Sequence, residues 1–334
     1  MAPLSVLFVG GTGIISSACA ARAVEAGIEL TVLNRGRTHI RPLPDGANVL
    51  EGDIRDIASV QRALGGREFD VVVDFVVMTE EQVRSDIAFF ENRTGQYVFI
   101  SSASAYQKPP ARLPITESTP LRNPFWEYSR RKIACEDVLV RAYRERGFPT
   151  TVVRPSHTYD KTAVPLLGGW TVIDRMRRGK PVVVHGDGTS LWVLTHHDDF
   201  ARAFVALLGN PAAIGDTFHI TSDEALTWDE INSIMARAAD AEPHFVHVSS
   251  EKIANALPEW RPQLLGDRTY SHLFDNTKVR RLAPGWVATI PFAQGAREII
   301  DWFDADPVRQ SRDERIDSAM DTLVEEHGKL RSGS

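Results

Sequence analysis

The sequence predicts an α/β fold: a doubly wound parallel sheet with a smaller C-terminal lobe interleaved with it in sequence. Three observations predict it. Short apolar runs alternate with helix-like stretches through the first half. A glycine-rich turn, Gly10-Gly11-Thr12-Gly13, joins the first apolar run to an alanine-rich stretch. Beyond Arg154 the alternation loosens into Pro- and Gly-containing segments. Strands of a parallel sheet read as continuous apolar runs because helices cover both of its faces. At 334 residues, 43% hydrophobic and 25% charged, the chain can build a large core or two fused lobes.

In chain order, strands are expected at 4–9, 29–33, 70–77, 96–101 and 150–154, with one more just before Gly52. Helices are expected near 14–26, 56–65, 80–92 and 127–146. Residues 1–155 form the sheet domain on this reading. Residues 156–180 and 223–320 form the second lobe, and 181–222 return partly to the sheet through strands near 181–184, 193–195 and 217–221. Residues 321–334 read as a tail ending in Arg331-Ser332-Gly333-Ser334.

A net charge of −6 excludes a broad nucleic-acid footprint, and Arg141, Arg144 and Arg146 read as a solvated helix face. Cys19 and Cys135 lack metal-type spacing and fit reduced thiols. Met1 leads almost directly into a strand, and no apolar run reaches the roughly 18 residues a membrane span needs. A cytoplasmic protein without membrane or nucleic-acid partners is expected.

The glycine turn sits between a strand and a helix. There a diphosphate approaches the backbone closely and meets the amides of the helix N-terminus, the first element of a Rossmann-type dinucleotide site. Gly10, Thr12, Gly13 and Ile14 are the candidate contacts, and Ser16 stands where a third glycine is usual. The second strand ends in Asn34-Arg35-Gly36-Arg37 with no carboxylate for a ribose. Arg35 and Arg37 match a 2′-phosphate, so NADP is expected with NAD as the alternative. Asp53 and Ile54 are placed to flank an adenine, and Val76 and Pro155 complete the cofactor set.

Tyr128 and Lys132 stand four residues apart and share one face of the helix. A neighbouring cation favours a phenolate, which brings proton transfer within reach. Ser102 ends a central strand, and strand carboxyl ends converge on the ligand crevice, so hydroxyl and phenol can meet one substrate oxygen.

Across residues 4–235 the chain resembles an extended short-chain dehydrogenase/reductase of the NAD-dependent epimerase/dehydratase type. The resemblance rests on the glycine turn, Gly52-Asp53-Ile54, Ser101-Ser102 before Tyr106, Asn123-Pro124 before Tyr128, Lys132, Glu136 and Arg154-Pro155. It continues through Gly186-Asp187-Gly188, His196-His197-Asp198-Asp199 and Thr227-Trp228-Asp229-Glu230-Ile231. It implies a catalytic Ser102, Tyr128 and Lys132: tyrosine as acid/base, lysine lowering its pKa and holding the nicotinamide ribose, serine bonding the substrate. It also implies a possible homodimer. The segment 196–199 is then a return strand and helix start. Neighbours on a strand face opposite ways, so no metal is expected there.

Departures from the pattern bear on the substrate. Many members carry an arginine for the substrate diphosphate seven residues before the residue equivalent to Asp199, where this chain has Trp192. His157 replaces a common substrate-contacting asparagine and is a candidate second acid/base near neutral pH. Ala103-Ser104 stands where sugar dehydratases carry Asp-Glu, which leaves Ser104, Glu127, His157 and Trp192 as candidate substrate contacts beside Ser102. The implied activity is oxidation of a carbinol on a sugar, sugar phosphate or nucleoside to a transient ketone, followed by epimerisation or elimination. An NADPH-dependent carbonyl reductase is the alternative. A cofactor-sensing or RNA-binding relative is the reading from another class, although such relatives often lose the tyrosine and lysine.

Overall fold

In the computed structural model, residues 2–37 and 40–332 are described. The apolar run Ser5–Val9 forms β1, and its alternate side chains serve two cores: Val6 and Phe8 on one face of the sheet, Leu7 and Val9 on the other. The glycine turn leads to α1 (Ile14–Glu25), then β2 (Glu29–Asn34), β3 (Asn48–Glu51), α2 (Ile57–Leu64), β4 (Phe69–Asp74), α3 (Glu80–Phe90) and β5 (Thr94–Ile100). The long helix α4 (Glu127–Arg146) ends at Gly147 in the left-handed conformation and returns the chain to β6 (Thr150–Pro155).

The second lobe starts at β7 (His157–Tyr159). It continues through α5 (Trp170–Arg177), β8 (Val182–His185) and β9 (Leu191–His196); the chain then returns to the sheet domain with α6 (His197–Val205) and β10 (Thr217–Ile220) before re-entering the lobe at β11 (Ala225–Thr227). Next come α7 (Trp228–Ala238), β12 (Phe245–Val248), α8 (Ser250–Ala256) and α9 (Arg261–Gln263), the last continued by a π-helical turn over Leu264–Arg268. The chain closes with α10 (Thr277–Leu282), α11 (Phe292–Asp304) and α12 (Glu314–Ser332).

Seven parallel strands form the main sheet in the order β10-β6-β5-β4-β1-β2-β3. The direction of strand succession reverses between β1 and β4, which opens a crevice at the carboxyl ends of those strands.

Two expectations are corrected. Of the strands between 181 and 222, β10 alone joins the main sheet. β8 pairs with β12, and β9 pairs with β7 and β11, in separate small sheets. The chain leaves the main sheet at Pro155, so the segment after it supplies a different partner for β9. The expected tail from 321 is the continuation of α12, and Ile316, Met320 and Leu323 are buried in the second lobe's core with Trp170, Trp228 and Phe303.

That helix is held by a buried cation. Arg175 on α5 is fully buried and bonds the Asp317 carboxylate, the Asp317 carbonyl at 2.9 Å, the Pro181 carbonyl at 2.8 Å and Asp321 at 2.9 Å. Removing one partner of such a pair leaves an uncompensated charge inside the protein. Asp317→Ala is therefore expected to cost about 3 kcal/mol in urea unfolding. Asp321→Ala, at the exposed end, should cost less than about 1 kcal/mol.

Candidate active site

The glycine turn is shaped by close approach. Gly10 has φ +81°, and a Cβ there would lie 2.7 Å from Val76 Cγ1; one at Gly11 would lie 2.6 Å from Val32 Cγ1. No side chain fits, so the backbone is open to a ligand. Ser16, where a glycine is usual, is buried and accepts a 2.9 Å hydrogen bond from the Gly13 amide, which fixes the turn against α1. A cavity of about 150 Å³ beside the turn is lined by Gly10, Thr12, Asn34, Arg35, Arg37, Asp53, Ile54 and Val76. The Asn34 carboxamide accepts from the Gly36 amide at 2.9 Å and shapes the bend that carries both arginines. Arg35 and Arg37 are exposed, and neither has an ion-pair partner among the described residues.

A larger cavity of about 620 Å³ opens on the other side of the turn. It is lined by Gly13, Ile14, Ser102, Ser104, Tyr128, Lys132, Pro155, His157 and Trp192, together with Gln263, Asp267, Arg268 and His272. The first turns of α4 bring Tyr128 and Lys132 to its wall. Lys132 is 2% exposed, and its ammonium donates to the Val77 carbonyl at 2.7 Å and the Ile100 carbonyl at 2.8 Å. It lies 4.8 Å over the Phe99 ring and 5.9 Å from the Tyr128 ring centroid.

Ser102 and the Tyr128 phenol line the same cavity wall. The Ser102 hydroxyl is 2.9 Å from that of Ser104, which accepts from Ser129 at 2.8 Å. Asn123 donates in turn to Ser129, to the Ser104 carbonyl at 2.8 Å and to the Gly266 carbonyl at 2.7 Å. The Asn123-Pro124 element thus fixes the hydroxyls from behind.

The electrostatics differ from expectation at Tyr128. Burial pushes its pKa up; the Ser102 hydrogen bond opposes this and the Asp267 carboxylate reinforces it. The net shift is upward, and the phenol is neutral here. Desolvation of the phenol outweighs the favourable effect of an ammonium 5.9 Å from its ring centroid.

At the substrate end two expectations are corrected. Glu127, expected to touch substrate, points to solvent, where it pairs with Arg131 at 2.5 Å. It is one position from Tyr128, and neighbours on a helix do not share a face. His157 does line the cavity, but burial and then the Arg268 charge push its pKa down to about 3. It is a neutral imidazole at physiological pH, not an acid titrating near 7.

Trp192 is packed between Trp228 and His272, at ring separations of 5.2 and 4.7 Å, and its buried indole Nε1 has no partner among the described residues. Asp267, Arg268 and His272 were not foreseen. The π-helical turn Leu264–Arg268 carries the first two into the cavity, and π-turns concentrate at such sites. Lys108, fully buried behind them, lies 2.5 Å from His272 Nε2 and 3.4 Å from Asp267. An ammonium only donates, so His272 accepts and is neutral. The dense Gly266-Asp267-Arg268 charge pair after apolar Leu264-Leu265 was the one sequence signal available.

His196, His197 and Asp198 bring ligand-type atoms within 4.8 Å of one another. His196 is already engaged on both nitrogens, by the Asp198 amide and by Glu298 at 3.0 Å, and His197 Nδ1 by the Ile14 carbonyl at 3.2 Å. The segment ties α6 to the glycine turn.

Residues 6–221 match the family described as NAD dependent epimerase/dehydratase. The chloroplast stem-loop binding protein of 41 kDa b from Arabidopsis thaliana is 25% identical over 336 residues, covering 96% of this chain and 83% of that protein. The 2'-dehydrokanamycin reductase of Streptomyces kanamyceticus is 25% identical over 289 residues, covering 85% of this chain and 80% of that one. Among solved structures, a UDP-glucose 4-epimerase from Bifidobacterium longum, in complex with NAD+ and UDP, superposes with a TM-score of 0.68 at 20% identity. That match covers 90% of this chain and 98% of that one.

Two outcomes follow from this geometry. Gly10→Ala should weaken nicotinamide cofactor binding at least about tenfold in calorimetric titration, since the Cβ meets Val76 and positive φ is strained. Acid should destabilise the fold early. Burial drives His157 to about 3 and His185 to about 4, whereas the unfolded chain protonates them near 6.5. Stability therefore falls as pH drops from about 6.5 towards 4, by up to about 1 kcal/mol per pH unit per histidine. Urea midpoints against pH should show this, and His157→Gln should flatten the slope.

Proposed function

The chain belongs to the NAD-dependent epimerase/dehydratase family and is an oxidoreductase-type enzyme using a nicotinamide cofactor; from that premise we propose that it oxidises a carbinol of a sugar-like substrate to a transient ketone. The observation that carries this reading is the wall of the larger cavity, which Ser102, Tyr128 and Lys132 line together with Gly13 and Ile14, Lys132 being fixed one turn along α4.

When bound, the nicotinamide accepts and returns the hydride. The glycine turn and the N-terminus of α1 would hold its diphosphate, with Asp53 and Ile54 at the adenine end and Lys132 at the ribose next to the reacting ring. Ser102 positions the carbinol oxygen by a hydrogen bond. Tyr128 takes the proton from that oxygen and gives it back when the carbinol is restored. A neutral phenol suits the return step, and the Lys132 ammonium near the ring favours the phenolate for the forward one. The ketone acidifies adjacent C–H bonds, and Asp267 is the carboxylate in the same cavity available to a neighbouring carbon.

Arg35 and Arg37 support NADP: two guanidinium groups without carboxylate partners among the described residues line the cavity beside the glycine turn, where a 2′-phosphate would satisfy them. At the far end Trp192 packs as an apolar wall where family members often grip a diphosphate, which favours a sugar, sugar phosphate or nucleoside over a nucleoside-diphosphate sugar. A second reading, binding of structured RNA, is favoured by the near full-length similarity to the stem-loop binding protein.

Tyr128→Phe and Lys132→Ala should lower turnover roughly a hundredfold or more with the circular dichroism spectrum unchanged. Normal turnover in Tyr128→Phe would remove the acid/base assignment, and steep salt-dependent RNA binding untouched by it would favour the second reading. Arg35→Ala should weaken NADP about tenfold and NAD little; equal losses would count against the phosphate role. Mass spectrometry of small molecules released on denaturation identifies a retained cofactor. Activity without added cofactor separates the internal redox cycle from net reduction.

A further inference from the structure

Behind Lys132 the sheet buries two carboxyl groups that the reaction as described does not use. Asp74 ends β4 and is completely buried; its Oδ1 accepts from the Val76 amide at 2.6 Å and the Val77 amide at 2.9 Å. Asp86 on α3 is also buried, and its Oδ2 accepts from the hydroxyl of Tyr97, which stands opposite Val72 on the same sheet face as Asp74, at 2.6 Å; the two carboxyls interact directly. Neither has an ion-pair partner within 4 Å among the described residues. Asp74 Oδ2 is a buried acceptor without a donor as long as both groups are ionised. Two adjacent carboxylates in a dry site cannot both hold charge, and one proton between them also supplies the missing donor.

We propose that Asp74 and Asp86 share one proton and present a single negative charge to Lys132, making Asp74 the positioning residue that keeps this lysine protonated. The inference rests on the reading of Lys132 and Tyr128 as the reacting pair. The direction of the charges agrees with it. Burial drives both carboxyls upward, Asp86 the further, so Asp86 keeps the proton and Asp74 the charge. Burial pulls Lys132 down to about 8, and Asp74 is the largest influence opposing that loss.

The other groups facing these three are few. Tyr97 on β5 faces Asp86; Cys135 and Glu136 on α4 face Lys132, and Cys135 also faces Tyr97. Glu136 is committed to Arg154 and Cys135 is held protonated by burial, so neither replaces Asp74. Asp86 also borders a separate cavity of about 680 Å³ between α2 and α3.

Two measurements on the intact protein test this, and neither needs a substrate. Infrared spectroscopy at neutral pH should show the C=O stretch of a protonated buried carboxyl that is lost in Asp86→Asn and shifted in frequency in Asp74→Asn. Carbon NMR of ε-labelled lysine, with Lys132 assigned from Lys132→Arg, should show its titration midpoint falling by about one pH unit or more in Asp74→Asn. In Asp86→Asn the charge remains on Asp74, and the midpoint should hold or rise. The carboxamide introduced by Asp74→Asn keeps an acceptor for the Val76 and Val77 amides, so the turn survives. A protonated-carboxyl band absent from the wild type, or a Lys132 midpoint unmoved in Asp74→Asn, overturns the proposal. Parallel shifts in the two variants would mark a merely structural pair and overturn it too. Failure of the acid/base assignment would show instead as normal turnover in Tyr128→Phe and would leave both of these readouts unchanged.

Discussion

The arrangement depends on one ammonium group held between two strand ends. Lys132 donates to the Val77 and Ile100 carbonyls, at the carboxyl ends of neighbouring chain segments in the crevice. A buried lysine is costly unless its protons are used, and two carbonyls plus the Phe99 face use them without cancelling its charge. This bond set fixes the rotation of α4 against the sheet. Tyr128, one turn earlier, then has one place to go, beside Ser102.

A second buried pair supports the first. Glu136, one further turn along α4, accepts from Ser101 at 2.5 Å and from Arg154 Nε at 2.9 Å, and Arg154 lies 4.8 Å over the Tyr106 ring. Several residues that carry the family resemblance, Ser101, Tyr106, Glu136 and Arg154, thus form one buried scaffold. They hold the strand after Ile100 and the start of the second lobe at fixed distances from α4. Their energetic role is geometric, because a buried ion pair of this kind is weak evidence for net stability.

Much of the nucleotide end was legible in the sequence, because its chemistry is local. Gly10-Gly11-Thr12-Gly13 lies between a strand and a helix, and Arg35 and Arg37 follow the next strand; short-range periodicity and turn chemistry place both. Glu127 was misplaced because a one-residue step on a helix rotates a side chain off the shared face. His157 was placed correctly but given the wrong chemistry. Its proton affinity is set by burial under the second lobe and by Arg268, 111 residues downstream, which no local pattern conveys.

By itself the sequence determined the parallel sheet, the glycine turn and the pairing of Tyr128 with Lys132, since hydrophobic period and helical spacing are properties of neighbouring residues. Only the tertiary structure decided what faces them. It routed strands 182–185 and 191–196 into separate small sheets, and it brought Asp267 and Arg268 into the cavity through a π-turn, with His272 just beyond it. It also buried Asp74 against Asp86 behind the lysine. These outcomes turn on which distant surfaces exclude water from one another, and the proton affinity of every group in the site follows from that exclusion.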